Sequence, residues 1–246
     1  MEAFYQTEVG KVRSHNEDNV ISVATLDNDY LLVVADGMGG HRAGEVASMI
    51  TTTYLADNFM KQKFTDKQTA IDWLRESSNI INNKIIEYSN ENPQTKGLGT
   101  TMVCCLITKD FTIMANIGDS SGYILKNGEL IKITDDHTLV NLLVKAGELT
   151  KEEARFHPRR NILMKALGNG MGVDVDIFDI EEDYSGILLC SDGLTNMITE
   201  NEMTNILNKE KNIENAVKRL VSKANNRGGT DNISVAYLKK GEVDQC

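Results

Sequence analysis

The 246-residue sequence lacks the long apolar runs and cysteine patterns that characterise several common protein classes. No apolar stretch approaches the roughly 18 residues that a membrane helix needs. The amino-terminal residues show neither the basic region nor the apolar core of a signal peptide. The four cysteines have no metal-binding spacing, and no long repeat or low-complexity segment is present. These absences predict a cytoplasmic globular protein with reduced thiols and no membrane span.

Positive charge is also scarce, because 26 Lys and Arg stand against 36 Asp and Glu, a formal net charge of −10. This balance argues against broad binding to nucleic acid or to an anionic membrane. It is compatible with a site that gathers carboxylates and offsets them with bound cations. Hydrophobic residues make up 41% of the chain, which allows a sizeable core.

The most informative stretch is an apolar run that ends on a carboxylate and continues into a glycine-rich turn. Residues 32–35 predict a buried strand, and Asp36 follows at its end, with Gly37 next. A strand-end carboxylate beside an exposed carbonyl suits a hard cation such as Mg²⁺ or Mn²⁺. The alternative is a tight strand-to-helix turn with the aspartate as helix cap, and this stretch alone does not separate the two interpretations.

Three further aspartates occupy similar positions beside glycines at the edges of predicted strands. Asp119 follows the run 111–117, Asp192 follows 186–191, and Asp231 precedes the strand over 233–238. Each alone is compatible with an Asx-type turn. Grouped carboxylates, however, raise one another's pKa unless cations are bound. Oxygen-only ligands favour Mg²⁺ or Mn²⁺ over zinc, and two such ions about 3.5–4 Å apart can activate a bridging water for attack on phosphorus.

A dense polar patch at 10–19 lies between two segments that are predicted to be extended. Arg13 can hold a phosphate, while Glu17 and Asp18 can face cations. A charged hairpin loop is the alternative interpretation. Together with the four strand-edge aspartates, the patch is difficult to attribute to turns alone.

Hydrophobic periodicity divides the rest of the chain into helices and strands. Helices are predicted over 42–59, 66–91, 138–147 and 213–224. Capping boxes are predicted at Thr65–Gln68, Thr150–Glu153 and Thr199–Glu202. Strands are predicted over 101–107, 111–117, 123–125 and 130–133, which we interpret as a meander of adjacent antiparallel strands.

A polar excursion over about 136–165 interrupts the predicted strands. It contains predicted short helices and is followed by a strand over 175–180; residues 162–167 are also predicted to be helical. Functional loops and neutral insertions both come from such regions. We expect this excursion to shape peptide recognition rather than chemistry.

Five motifs in order carry a resemblance to a known family: Arg13-x-x-Asn16-Glu17-Asp18, Asp36-Gly37-Met38-Gly39-Gly40-His41, Gly118-Asp119-Ser120, Ser191-Asp192-Gly193 and Gly229-Thr230-Asp231-Asn232. Together they resemble the metal-dependent protein phosphatases of type 2C, in their compact bacterial form. The match spans residues 4 to about 238. Asp136-His137-Thr138 and His157-Pro158-x-Arg160-Asn161 also resemble the flap region of the bacterial subgroup.

The resemblance implies an α+β fold in one catalytic domain over residues 1–246. This fold is a four-layer αββα sandwich, in which two antiparallel β-sheets are flanked by helices. The metal site lies at one end of the sandwich, and the excursion at about 136–165 forms the flap.

The resemblance also implies the metal ligands. Asp36 would bridge two Mn²⁺ or Mg²⁺ ions, with the Gly37 carbonyl on one ion and Asp192 and Asp231 on the other. Asp119, together with Asp192, would hold a third, weaker ion.

Other residues have implied roles around these ions. Glu17 and Asp18 would act largely through waters, with Asn232 beside them, and Arg13 would clamp the substrate phosphate. His41 is a candidate proton donor to the leaving oxygen, because its ordinary pKa suits donation near neutral pH. The alternative for His41 is a solvent-facing loop residue.

The implied activity is hydrolysis of phosphoserine and phosphothreonine in phosphorylated proteins by a metal-bridging water or hydroxide. The implied partners are a bacterial Ser/Thr kinase and its substrates, with the phosphatase acting as a monomer. Nucleic acid is not an expected partner. Many bacterial relatives have Arg after Gly-Asp-Ser where this chain has Ser121, a difference that affects the expected third ion or peptide preference.

Two alternatives remain at the level of sequence. One is a catalytically weak relative that binds phosphoproteins or metals as a regulator, although such a protein would be expected to lack a core aspartate. The other is a different two-metal phosphohydrolase such as a nuclease, which the net charge of −10 disfavours.

Overall fold

The structure, a computed structural model, describes residues 1–39, 43–170, 172–181 and 183–241. The strands are, in chain order, β1 (Glu2–Glu8), β2 (Asn19–Ala24), β3 (Tyr30–Ala35), β4 (Gly37–Met38), β5 (Gly99–Thr100), β6 (Met102–Ile107), β7 (Thr112–Ile117), β8 (Ser121–Lys126), β9 (Glu129–Lys132), β10 (Asp176–Asp179), β11 (Gly186–Cys190) and β12 (Ile233–Lys239). The helices are α1 (Ala43–Phe59), α2 (Lys67–Glu91), α3 (Leu139–Lys145), α4 (Lys151–Phe156), α5 (Asp192–Thr195), α6 (Glu200–Lys209) and α7 (Ile213–Asn226), with a 3₁₀ turn at Pro93–Thr95. No helix in the described ranges is long and apolar enough to cross a membrane.

Two five-stranded sheets form the centre of the fold. Sheet A has the order β1-β12-β11-β8-β9, and sheet B has the order β10-β7-β6-β3-β2. The strand pairs in both sheets are antiparallel. The short strands β4 and β5 pair separately.

The core has three layers because strand residues alternate between the two faces of each sheet. In β3, Leu31 and Val33 pack with α1 and α2 on the outer face of sheet B, whereas Leu32 and Val34 pack between the sheets. Sheet A packs its outer face against α5, α6 and α7. Cys104 and Cys105 point to opposite faces, as two adjacent strand residues must. The predicted α+β sandwich with four αββα layers is therefore confirmed.

The predicted meander over 101–133 is wrong. Strand β7 belongs to sheet B and β8 to sheet A, so the chain crosses between sheets at residues 118–120. Gly118 makes this crossing with φ of 109°, and a Cβ there would lie 2.5 Å from Thr101 Cγ2. Local hairpin signals could not reveal the crossing, because each half still forms an antiparallel pair.

Two local predictions are also wrong, while two capping boxes are confirmed. Helix α2 is capped by Asp66, whose side chain accepts from the Thr69 N–H, rather than by a Thr65–Gln68 box. Residues 162–167 are not helical but form bridges that pair Leu163 with Thr138 and Leu167 with Thr100. The Thr150–Glu153 and Thr199–Glu202 boxes are present.

Candidate metal centre

The four strand-edge aspartates lie at one end of the sandwich, where strands of both sheets terminate. Asp36 follows β3, Asp119 lies between β7 and β8, Asp192 starts α5, and Asp231 precedes β12. Asp36 is close enough to the other three, and to Asp18, for their charges to raise its pKa. The topology therefore gathers five carboxylates from distant parts of the sequence.

Two threonines fix the backbone at Asp36. The Thr101 N–H and the Thr100 hydroxyl both donate to the Asp36 carbonyl, at 2.8 and 2.9 Å. The Asp36 N–H donates to Thr101 Oγ1 at 3.0 Å. Because its own backbone is held from two sides, the Asp36 carboxyl group projects from a rigid position.

Gly37 packs too tightly against its neighbours for any side chain to fit there. A Cβ at Gly37 would lie 2.2 Å from the Gly44 carbonyl oxygen and 2.4 Å from the Glu17 carbonyl oxygen. The Gly37 N–H donates to that Glu17 oxygen at 3.2 Å. This contact brings the start of α1 and the 10–19 loop against the turn that follows Asp36.

Asp18 is inserted between the ends of two sheet A strands. Its Oδ2 accepts from the Ser191 hydroxyl at 2.7 Å, and Ser191 Oγ accepts from the Ser234 N–H at 2.9 Å. The side chain is 6% exposed, and its Oδ1 has no hydrogen-bond partner. Asp18 is therefore held on one oxygen only.

The Asn232 side chain ties together the amino-terminal loop. Its Oδ1 accepts from the Glu17 N–H at 2.8 Å, and its Nδ2 donates to the carbonyls of Val9 and His15 at 2.8 and 3.0 Å. All three bonds go to backbone, so the side chain positions the loop that carries Arg13 and Glu17. Sequence analysis placed Asn232 beside the ions but did not reveal this bracing role.

Arg13 reaches the carboxylate end from the same loop. Its Nη2 donates to Asp231 Oδ2 at 2.7 Å, and both side chains retain substantial exposure, 53% and 32%. Asp231 Oδ1 accepts from the Asn232 N–H at 2.9 Å. In this arrangement the predicted phosphate-binding arginine therefore occupies one carboxylate oxygen of a predicted metal ligand.

Burial and mutual repulsion raise the pKa values of several carboxyl groups in the site. Burial, followed by the charges of neighbouring aspartates, raises the pKa of Asp119 to about 7 and that of Asp192 to about 6. Burial raises the pKa of Asp18 to about 7, although Ser191 opposes the rise, and the pKa of Asp36 lies well above its ordinary value. Burial likewise raises the pKa of Glu17. Asp18 and Asp119 are therefore partly protonated near pH 7 unless positive charge is supplied.

The donor set fits hard divalent cations. It consists of oxygens alone, and two of them, Asp18 Oδ1 and Asp192 Oδ1, are buried without a hydrogen-bond partner. Asp36, Asp119 and Asp192 are only half-buried, so ions can reach them from solvent. Within the described ranges no three His, Cys, Asp or Glu side chains converge on one ion position. The residues therefore fit divalent cations by the chemistry and charge of their oxygens, while one oxygen of Asp231 is paired with Arg13.

Sequence analysis missed the role of His137, which links Asp119's loop to the 136–165 excursion. Its Nδ1 accepts from the Gly118 N–H at 3.0 Å, which assigns the ring proton to Nε2. Nε2 lies 3.0 Å from Asp176 Oδ2 in β10, and Lys165 Nζ lies 3.1 Å from the other oxygen. The Asp136-His137-Thr138 motif was noticed, but nothing in its spacing named these partners.

The predicted proton donor His41 lies outside the described residues. Ser121, which stands where many relatives have Arg, is buried at the start of β8.

Comparison with known proteins identifies the family. Residues 7–233 match the family described as protein phosphatase 2C. The chain belongs to the protein phosphatase 2C family. The predicted resemblance is thereby confirmed over most of the sequence.

Individual phosphatases of this family resemble the chain throughout its length. The serine/threonine phosphatase stp of Listeria welshimeri is 41% identical over 242 residues, covering 98% of this chain and 96% of that protein. The serine/threonine phosphatase Stp1 from Staphylococcus aureus superposes with a TM-score of 0.91 at 38% identity, covering 98% and 95% of the two chains. The catalytic domain of the phosphatase PstP, solved with two manganese ions, gives a TM-score of 0.83 at 32% identity and covers 96% of each chain.

Proposed function

We propose that this chain is a metal-dependent phosphoprotein phosphatase that hydrolyses phosphoserine and phosphothreonine. Its membership of the protein phosphatase 2C family agrees with this activity. The observation that carries the proposal is the group of five carboxylates at one end of the sandwich. Burial and the charges of neighbouring aspartates raise the pKa of Asp36 and of Asp192 in this group. Such a group lowers its own free energy by binding divalent cations.

Mn²⁺ or Mg²⁺ ions would be held by Asp36, the Gly37 carbonyl, Asp192 and Asp231, with Asp119 contributing to a third, weaker site. When bound, such ions activate the attacking water and neutralise phosphoryl oxygens. The support for this ligand set is the grouping of the aspartates at the same end of the fold and the buried Oδ1 of Asp192, which has no hydrogen-bond partner.

The chain's own side chains would orient the substrate. Arg13 can turn its guanidinium from Asp231 to the phosphate and bind two oxygens, a geometry that lysine cannot reproduce. Glu17 and Asp18 would orient waters, since Glu17 is held by the Asn232 brace and Asp18 by Ser191. His41 as proton donor to the leaving serine or threonine oxygen stays a prediction.

We also infer the cellular setting. The expected substrates are proteins phosphorylated by a Ser/Thr kinase, including that kinase, in the cytoplasm of a bacterium, with the phosphatase acting as a monomer. The relatives named above are bacterial phosphatases, which supports this setting.

The decisive experiment replaces Asp36 with Asn, which removes charge and leaves shape. Phosphate release from a phosphothreonine peptide with Mn²⁺ should fall by at least about 100-fold, because the central ligand charge is lost. The shift of the melting temperature on adding Mn²⁺ should shrink in parallel. Asp110→Asn, a matched change at an exposed turn, should alter neither value.

Near-normal turnover by Asp36→Asn in buffer with limiting Mn²⁺ would contradict the proposed centre. Parallel assays with phosphotyrosine peptide and with an oligonucleotide test the substrate class. Preferential cleavage of the oligonucleotide would replace the proposal with a nuclease activity.

A further inference from the structure

A basic groove lies between helices α6 and α7 on the outer face of sheet A. It encloses about 680 Å³, and its polar and charged lining is Glu202, Asn205, Lys209, Arg219, Ser222, Lys223, Asn226 and Arg227. Four cations and one carboxylate therefore face the same space, in a chain whose net charge is −10. None of these residues belongs to the candidate metal centre. We call this space the α6/α7 groove.

The cations form a regular stripe because of helical geometry. Arg219 and Lys223 are four residues apart on α7, so their side chains lie one above the other, and Arg227 follows four residues later as the C-cap of the helix. They remain accessible, with exposures of 57%, 35% and 43%. The stripe spans roughly 12 Å, the length of about four residues of extended peptide.

The internal ion pairs leave part of this charge available. Glu202 pairs with both Lys223, at 2.9 Å, and Arg227, while Arg219 pairs with Glu210. Lys209 forms no ion pair with any described residue. Arg227 binds Glu202 through both of its terminal nitrogens and is largely satisfied there, whereas Lys209 and the exposed pair of Arg219 with Glu210 are the cations that an incoming carboxylate can engage most easily.

One end of the groove is near the candidate metal centre, because the four residues from Arg227 to Asp231 can span at most about 14 Å. Arg227 precedes Asp231 by four residues, and its Nη1 donates at 3.1 Å to the carbonyl of Met197, in the segment that follows α5. Helix α5 itself starts with Asp192. A polypeptide with its phosphorylated residue at the centre can therefore reach the groove through a spacer of several residues.

We propose that the α6/α7 groove binds an acidic segment of the phosphoprotein substrate, several residues away from the phosphorylated residue. This inference rests on the proposed phosphatase activity. Complementary charge is the basis of recognition, and carboxylates are the chemistry that a stripe of Arg and Lys selects. Because the chain as a whole carries a net charge of −10, an acidic segment needs a local cluster of cations such as the groove for favourable contact.

The test uses two phosphothreonine peptides that differ in one distal segment. One carries about five glutamates beyond a Gly/Ser spacer of about eight residues, and the other carries glutamines there. The spacer is placed on either side of the phosphothreonine in separate peptides. At low salt, we expect the glutamate peptide to show a KM about threefold to tenfold lower in one of the two orientations.

Two groove variants should move this preference in opposite directions. Lys209→Gln with Lys223→Gln should abolish it, because two cations are lost. Glu202→Gln should increase it, because Lys223 and Arg227 lose their internal partner, and Gln can still serve in the capping box with Thr199. A structural role for the cations does not predict this increase.

The matched control is Lys218→Gln with Lys61→Gln, which changes the net charge equally outside the groove. Lys218 pairs with Glu214 elsewhere on α7, and Lys61 follows α1. The control should keep the glutamate preference. Equal loss in the control and in the groove variant, or no preference in the wild-type protein, would overturn the proposal.

Direct binding separates this proposal from the activity itself. Fluorescence anisotropy with a labelled, unphosphorylated glutamate peptide should show binding that Lys209→Gln with Lys223→Gln weakens and Glu202→Gln strengthens. Binding without any phosphatase activity would count against the proposed function but support the groove. Activity without glutamate-dependent binding or a glutamate-dependent KM would refute the groove alone.

Discussion

The ion pair between Arg13 and Asp231 joins the proposed phosphate-binding residue to a proposed metal ligand through one carboxylate oxygen. Arg13 Nη2 lies 2.7 Å from Asp231 Oδ2. A divalent cation on that oxygen would compete with the guanidinium. Metal binding would then release Arg13 toward the phosphate, so the two events would be linked through a single side chain.

Replacing Arg13 with Ala should therefore have two opposite effects. Mn²⁺ should bind up to about fivefold more tightly without phosphate, the range expected from losing an exposed ion pair. Inhibition by free phosphate and kcat/KM for phosphopeptides should both weaken, since the bidentate contact is lost. Isothermal titration measures the first effect and steady-state kinetics the second.

Arg75→Ala, on the exposed face of α2, is the control for charge alone. Unchanged Mn²⁺ affinity in Arg13→Ala would show that the ion pair does not compete with the metal. Unchanged phosphate inhibition would remove Arg13 from substrate binding.

Sequence patterns predicted which residues would gather but not how they are held. Asp36 and Asp192 were recognisable because an apolar strand ends on each. The Ser191 contact to Asp18 and the three backbone bonds of Asn232 depend on tertiary placement across 173 to 223 positions. Hydrogen-bond partners at such separations leave no local periodicity.

At the scale of elements, His137 connects three parts of the fold. It receives the Gly118 N–H, faces Asp176 in β10, and its carbonyl accepts from the Met164 N–H at 2.7 Å. The 136–165 excursion is thus anchored to the crossing between the sheets. Movement of the excursion and the position of Asp119 are expected to be coupled through this ring.

His137→Ala should loosen the excursion while the sheets stay folded. Loss of two largely buried hydrogen bonds costs on the order of 2 kcal/mol locally, so amide exchange across 136–165 should accelerate by about tenfold or more. Mn²⁺ affinity at the weakest site should fall as Asp119 loses its support. Hydrogen-exchange mass spectrometry and metal titration measure these changes.

His157 lies in the same excursion, and among the described residues its side chain hydrogen-bonds only to the neighbouring Arg159 N–H, so His157→Ala should show neither change. His137→Asn, which retains an acceptor near Nδ1, should partly restore protection. Equal exchange in the wild-type protein and His137→Ala would show that the excursion is anchored elsewhere.

The errors at this scale have one physical cause. Antiparallel pairs β6–β7 and β8–β9 were visible as local hairpins, but which sheet each pair joined was not. Sheet membership is decided by packing between layers, because an apolar strand fits either face equally well. Similarly, residues 162–167 have spacing that is compatible with a helix. They do not form one, because Leu163 and Leu167 pair instead with Thr138 and Thr100 in β-bridges.

For the whole molecule, the crowded carboxylates predict how stability depends on pH. Below about pH 4 these groups are protonated in both the folded and the unfolded states. Between that value and about 7, Asp18 and Asp119 keep protons in the folded state that the unfolded chain has released. The folded state binds more protons in this window, so the free energy of unfolding falls as pH rises.

In EDTA, the melting temperature should therefore be lower at pH 8 than at pH 6, as far as these groups determine it. Saturating Mn²⁺ should remove or reverse the difference, because metal binding favours the deprotonated carboxylates. Differential scanning calorimetry at both pH values measures this effect, and Asp18→Asn in EDTA should reduce it. A melting temperature that rises with pH in EDTA would contradict the assigned protonation.

The pairing of β1 with β12 has a consequence for biosynthesis. Strand β1 is an edge strand of sheet A, and its hydrogen-bonded neighbour β12 lies more than 200 residues later in the chain, so β1 leaves the ribosome long before its partner is made. Asn232, which braces the amino-terminal loop, is also made late. A nascent chain that lacks β12 cannot assemble the carboxylate cluster. Phosphatase activity would thus appear only after β12 has been made, and products that terminate before it would be inert.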